Sequence, residues 1–165
     1  VTFKENYEAG AKLVNPDLEV LATYHPGGFD VAFNDPEWGA ATAADAISQG
    51  ADVVFGAGGA TGNGALIETA KYEDTYCIGV DYDVWETLPE ARNCLVSSEL
   101  RLITPAVYEL IEMAINREFP SGEYLGQVGL GPFHDFEGLI NPEVIAKLLE
   151  VQLDLKDGTI EEAYP

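Results

Sequence analysis

Residues 51–83, ADVVFGAGGATGNGALIETAKYEDTYCIGVDYD, narrow the possible folds more than any other stretch of the chain. An apolar run (Asp52–Phe55) leads into a glycine-rich turn (Gly56–Gly64), a short helix, and a second apolar run (Tyr76–Val80) that ends at Asp81. Two apolar strands joined through a helix make a βαβ unit, which calls for a parallel sheet with a buried core. In open parallel sheets, ligands bind outside the carboxyl ends of the strands. The glycine turn and Asp81 both fall at that end. The pattern therefore predicts a small polar ligand held by backbone amides on one side and a carboxylate on the other.

The flanking sequence keeps the alternation going. Thr2 and Glu5 form a capping box, and Phe3, Tyr7, Ala11 and Val14 follow at helical spacing until Asn15-Pro16. A strand is expected at Leu18–Tyr24, then a turn from His25 to Phe29. Asp35-Pro36 opens an alanine-rich helix as N-cap and first helical residue, and Gly50 ends it. Beyond the βαβ unit come a loop (Tyr82–Arg92), a short strand (Cys94–Ser97) and a helix of about Leu102 to Phe119 with a stripe of Val107, Leu110, Ile111 and Ala114. A strand at Tyr124–Leu130, a turn around His134 and a last amphipathic helix from Asn141-Pro142 to Gly158 complete the chain. The class is α/β, in one domain. The chain opens on a helix, so the strand that a βαβ series would place before it is missing. A late portion of a larger protein is expected.

Composition removes several classes of partner. With 29 acidic and 8 basic residues the net charge is −21, which excludes nucleic acid and anionic membrane as partners because both need a basic footprint. No apolar run is long enough to span a bilayer. The two cysteines, Cys77 and Cys94, have no CxxC spacing. Each lies about four residues before the end of its expected strand, so a disulfide between parallel neighbours and a pair of buried free thiols both remain open.

The chemistry legible in the residues is recognition rather than catalysis. Gly58-Gly59-Ala60-Thr61-Gly62 offers backbone N–H groups at a helix start, without the lysine of a P-loop or a clean GxGxxG. Asp81 mimics the strand-end carboxylate that binds ribose hydroxyls in dinucleotide folds, and Asp83 is a second candidate whose alternative is a helix cap. Arg101 follows a strand end, where a guanidinium could bond a base or a carboxylate, or form a surface ion pair. No tyrosine has a lysine four residues on, no GxSxG nucleophile elbow exists, and the two histidines have no metal-ligand spacing. Neither a metal nor a cofactor is expected. Trp38, Trp85, Phe133 and Phe136 fit a core at least as well as a ligand ring.

Four ordered motifs, GADVVFGAGGATGNG (Gly50–Gly64), CIGVDYD (Cys77–Asp83), SSELR (Ser97–Arg101) and VGLGPFHDFE (Val128–Glu137), together resemble the basic membrane protein family. The opening FKENYEAGAKLVNPDLEVLATY is similar to that family as well, so the resemblance covers essentially the whole chain. It implies an extracytoplasmic lipoprotein that binds solute, a purine nucleoside above all, for an ABC permease. It also implies a type I periplasmic-binding-protein fold, a parallel-sheet three-layer lobe closing on its partner lobe around a cleft. This chain looks like the second lobe, residues 1–165, with no counterpart to the first. Asp81 matches the family aspartate that binds ribose hydroxyls, and the Gly58, Gly59, Thr61 and Gly62 turn matches the loop that approaches the nucleoside. Arg101 stands where the family has lysine, which keeps the charge and alters the donor geometry. The acidity, with an isoelectric point near 4.1, departs from the family's name. If the first lobe is absent, the apolar face of helix 102–119 is expected to be covered by a second copy. A Rossmann-like nucleotide-dependent enzyme domain is the alternative.

Overall fold

The computed structural model describes residues 2–122, 124, 126–157 and 159–160. The cap assigned to the Thr2 side chain and the stop at Gly158 lie outside the described residues. In chain order the elements are α1 (Thr2–Val14), the single turn α2 (Phe29–Ala32), α3 (Pro36–Ser48), β1 (Val53–Phe55), α4 (Gly59–Thr69) and β2 (Tyr76–Gly79). Then follow the single turn α5 (Val84–Thr87), β3 (Leu95–Arg101), α6 (Ile103–Asn116), β4 (Val128–Leu130) and α7 (Pro142–Asp157).

The α/β class holds. The strands form one sheet in the order β1-β2-β3-β4. β1, β2 and β3 are parallel, with Val54 opposite Cys77 and Gly79 opposite Ser98. β4 departs from the all-parallel expectation: it runs antiparallel to β3, with Arg101 opposite Val128. The stretch 18–24, expected as a strand, is not one. Its leucines, valine and tyrosine suit a pleated surface, but that preference is realised only against a neighbouring strand. No described strand pairs with it, and β1 ends the sheet. Among the described residues of the expected strand at 124–130, Val128–Leu130 are strand, while β3 runs on to Arg101 instead of ending at Ser97.

α3 begins where Asp35 caps the Trp38 N–H (3.0 Å) and Pro36 takes a position whose N–H has no helical partner. α4 is glycine-rich because it lies against two backbones. A Cβ at Gly64 would meet Pro36 O at 2.1 Å, and one at Gly62 would meet Gly56 O at 2.2 Å. That closeness drives Leu66 into a core with Cys77, Val84, Ala91, Cys94 and Leu95. Leu66 is fully buried, which stabilises the fold by roughly 2–3 kcal/mol. Cys77 and Cys94 are joined within this core, their Cα atoms 5.2 Å apart.

The opposite face of the sheet carries Tyr7 stacked on Phe55 (5.1 Å) and the segment 134–140, whose Phe136 meets Tyr76 edge-on (5.9 Å). α4, with α3 packed against it, on one side and this mixed cover on the other give three layers. α6 stands apart. None of its residues is buried, and Ile103, Val107, Tyr108, Ile111 and Ile115 are exposed. No described helix is long and apolar enough to cross a membrane.

Candidate functional site

Because β1 and β2 are parallel neighbours, the turn into α4 and Asp81, two residues past β2, rise from the same end of the sheet. Gly56 N–H donates to Ile78 O (3.1 Å), tying the two strand ends together. The N-cap of α4 is Gly58, which has no side chain to satisfy the first-turn amides. Ala60 N–H is taken by Phe33 O (3.0 Å), and Gly62 N–H by Gly58 O (3.3 Å). Among the described residues the amides of Gly59 and Thr61 have no partner, so the helix start offers free donors. Gly59 has φ +58°, and a Cβ there would press on Phe33 O at 3.1 Å. Glycine suits that position for both reasons. Phe33, half-exposed, stacks with Phe29 (6.0 Å) beside the turn.

Asp81 adopts a left-handed backbone, φ +74°, and 41% of its side chain is exposed. Its Oδ1 is shut off from solvent, with Arg101 Nε 2.7 Å away and no donor aligned on it. The contact is therefore one of charge with charge, and Oδ2 is the oxygen left open. Arg101, itself 47% exposed, lies over the Phe3 ring (Cζ to centroid 5.1 Å) and donates its backbone N–H to Asp81 O (3.0 Å). Glu99 Oε2 accepts from Asp81 N–H (3.3 Å). Burial pushes the Glu99 carboxyl above its usual range, against the pull of that hydrogen bond.

Two histidine–aspartate pairs flank this rim. Gly27 N–H donates to His25 Nδ1 (2.9 Å), which leaves the proton on Nε2, facing Asp35 Oδ2 (3.2 Å). The Trp38 N–H, and then His25, hold the Asp35 carboxyl below its usual range. His134 Nε2 lies 2.8 Å from Asp83 Oδ2, and its ring stacks on Trp85 (4.7 Å), with Arg92 over the same indole. In both pairs the aspartate caps a helical turn, so these histidines serve the loops. Among the described residues, no group of three or more His, Cys, Asp and Glu could hold a metal.

A family model described as ABC transporter substrate-binding protein PnrA-like matches residues 1–130. The chain belongs to the Bmp family. The CD4+ T-cell-stimulating antigen of Listeria monocytogenes is 31% identical to it, over 96% of this chain and 47% of that protein. Basic membrane protein D of Borreliella burgdorferi is 29% identical, over 99% of this chain and 48% of the relative. This Bmp chain thus spans about half the length of the curated relatives it matches. A crystal structure of ABC transporter system solute-binding proteins from Aeropyrum pernix K1 superposes with a TM-score of 0.56 at 19% identity, covering 78% of the chain and 45% of that structure. The family is one of solute-binding proteins, which removes the nucleotide-dependent enzyme alternative.

The residues singled out in the Bmp sequence separate into two groups. Asp81 and Arg101 are in contact, and Gly58 and Gly59 stand at the same open end of the sheet. The Thr61 side chain and Gly62 face inward. The Thr61 hydroxyl, in a residue only 5% exposed, accepts from Asp35 N–H (2.8 Å), and Gly62 is a close-approach glycine against Gly56. Asp83 takes the capping alternative, with Oδ1 on Trp85 N–H (3.2 Å). The rim is open rather than enclosed. A crevice of about 550 Å³ lies at the far end of β2, beside Tyr72, Asp74 and Asn93, and shares no residue with the rim. Sequence reasoning missed Glu99 and Phe33. The alternation in SSELR, which puts Glu99 two residues before Arg101, was the available signal for the first.

Proposed function

We propose that this chain is a single α/β lobe, residues 1–165, of an extracytoplasmic solute-binding protein that delivers purine nucleosides to an ABC permease. The observation that carries the reading is one rim with two kinds of hydrogen-bonding group. Among the described residues, a helix start has two unpartnered amides, and a strand-end carboxylate has one oxygen open to solvent. A ribose presents vicinal hydroxyls, and a carboxylate accepts from them. The amides and the Phe33 ring suit the polar edge and the face of a base. A second lobe closing over the rim excludes water and supplies the remaining contacts. Gly58, Gly59, Asp81, Arg101 and the Thr61 amide make direct contacts in this reading, while the Thr61 side chain and Gly62 support the turn from behind.

In the same reading the protein is held at the membrane as a lipoprotein. The exposed apolar stripe of α6 is then a docking face, and in the isolated lobe a second copy covers it. A thermal-shift series on the full-length protein tests the function. Adenosine, guanosine or inosine at a hundred times its Kd stabilises by about 2.7 kcal/mol, and Asp81→Asn removes that gain. A response to NAD(P) with the nucleosides silent overturns the reading. Sedimentation of the 165-residue chain tests the pairing: a monomer at high concentration rules out the second copy.

A further inference from the structure

The backbone of Asp81 is held in a conformation that a residue with a side chain rarely adopts, φ +74°. Nothing in the four residues of β2 requires it. What holds it comes from β3. Asp81 N–H donates to Glu99 Oε2 at 3.3 Å, Asp81 O accepts from Arg101 N–H at 3.0 Å, and Arg101 Nε sits 2.7 Å from Asp81 Oδ1. Glu99 and Arg101 alternate along one strand, so β3 grips Asp81 at its amide, its carbonyl and its carboxylate. The gripping strand is itself fixed, because Glu99 pairs with Leu130 and Arg101 with Val128 of β4.

The placement of Glu99 is otherwise unfavourable. It is a half-buried acid next to a second acid. A carboxylate in that position loses hydration and gains repulsion, and what offsets this is first the Asp81 amide it accepts from and then the Arg101 charge. We infer that Glu99 is a positioning residue of the binding rim: it locks Asp81 in the left-handed conformation that aims the open carboxylate oxygen at the hydroxyls of a ribose-bearing ligand. This inference rests on the proposed role of Asp81 in ligand contact. Glu99 itself touches no ligand. Its work is done through the amide of Asp81, and an amide oxygen at position 99 performs it as well as a carboxylate.

The test pairs Glu99→Ala with Glu99→Gln, and both with Asp81→Asn, whose side chain tolerates the left-handed region. Calorimetric titration of the full-length protein with inosine, guanosine and adenosine gives the affinities, and amide hydrogen exchange of the 165-residue chain gives the protection of Asp81. Glu99→Ala is expected to weaken nucleoside binding about tenfold and to speed exchange at the Asp81 amide by at least as much. Glu99→Gln stays within about twofold of wild type in both. The inference is overturned if Glu99→Ala binds like wild type while Asp81→Asn does not, or if Glu99→Gln falls as far as Glu99→Ala. A wild type that ignores nucleosides, or an Asp81→Asn that binds as well as wild type, overturns the ligand role of Asp81 instead. The exchange rate then decides alone: unchanged protection in Glu99→Ala refutes positioning, and lost protection rescued by glutamine upholds it.

Discussion

Replacing Gly64 with alanine reverses the usual effect of that substitution in a helix. Alanine is favoured over glycine in a helix interior by about 1 kcal/mol, so Gly10→Ala in α1 should stabilise, since nothing lies within 4 Å of a Cβ at that position. At Gly64 the new methyl would lie 2.1 Å from Pro36 O and 2.7 Å from Pro36 C and Cα, all of them backbone. A side chain could swing away, but the start of α3 cannot, so the two helices must separate by about 1 Å to restore contact distance. Gly39 makes the reciprocal approach, its Cβ position 1.9 Å from Thr61 O, so the separation is resisted along the whole crossing. Overpacking of this kind costs about 1–3 kcal/mol. With the severity of the overlap setting the upper end and the helix gain subtracted, Gly64→Ala should lose about 2 kcal/mol net. Urea unfolding followed by tryptophan fluorescence measures it, since Trp38 lies in α3. The midpoint should fall with the slope unchanged. A Gly64→Ala protein as stable as wild type, or more so, would show that α3 and α4 are not in backbone contact.

Oxidised Cys77 and Cys94 close a loop of sequence separation 17, so replacing either with alanine should cost about 3 kcal/mol through loop-closure entropy. Two reactive thiols in denatured, unreduced protein would eliminate the crosslink. Leu66→Ala removes a fully buried side chain from the centre of the core and should cost about 3 kcal/mol in the same urea assay. A loss below about 1 kcal/mol would mean that the site collapses without a cavity. Lys12 and Lys4 hydrogen-bond Glu8 and hold its carboxyl down to about 2 from an ordinary value near 4.5. That lowered value makes the Glu8 contribution to α1 fully present above about pH 4.5 and lost as pH falls through 2. Glu8→Gln should flatten the helicity of α1 over that window. Equal acid titrations of the two proteins would contradict it.

Local features of the sequence were enough for the elements that local chemistry governs. Asp35-Pro36 writes the start of α3 because a side-chain acceptor and a missing N–H are needed at adjacent positions there. The run from Asp52 to Asp81 contains the whole β1–α4–β2 unit, and the stripe in 102–119 marks α6, observed as Ile103–Asn116. The rim shared by Gly59 and Asp81 was also legible, since consecutive parallel strands put their carboxyl ends together. Motif order and spacing were sufficient to indicate the family.

Tertiary structure decided whatever depends on residues far apart in the chain. Residues 18–24 have the composition of a strand and no described strand beside them. β4 runs antiparallel because of what it meets, not because of its own three residues. The turn residues look alike in sequence, yet Gly59 faces the rim while Gly62 packs on Gly56 and the Thr61 hydroxyl serves Asp35, 26 positions away. Asp81 is gripped from Glu99, 18 positions on, and Asp83 is matched by His134, 51 positions on. Propensity and periodicity act over one turn or one strand, so they specify which element forms. The partner of a side chain depends on how elements pack, and packing is a property of the folded chain as a whole.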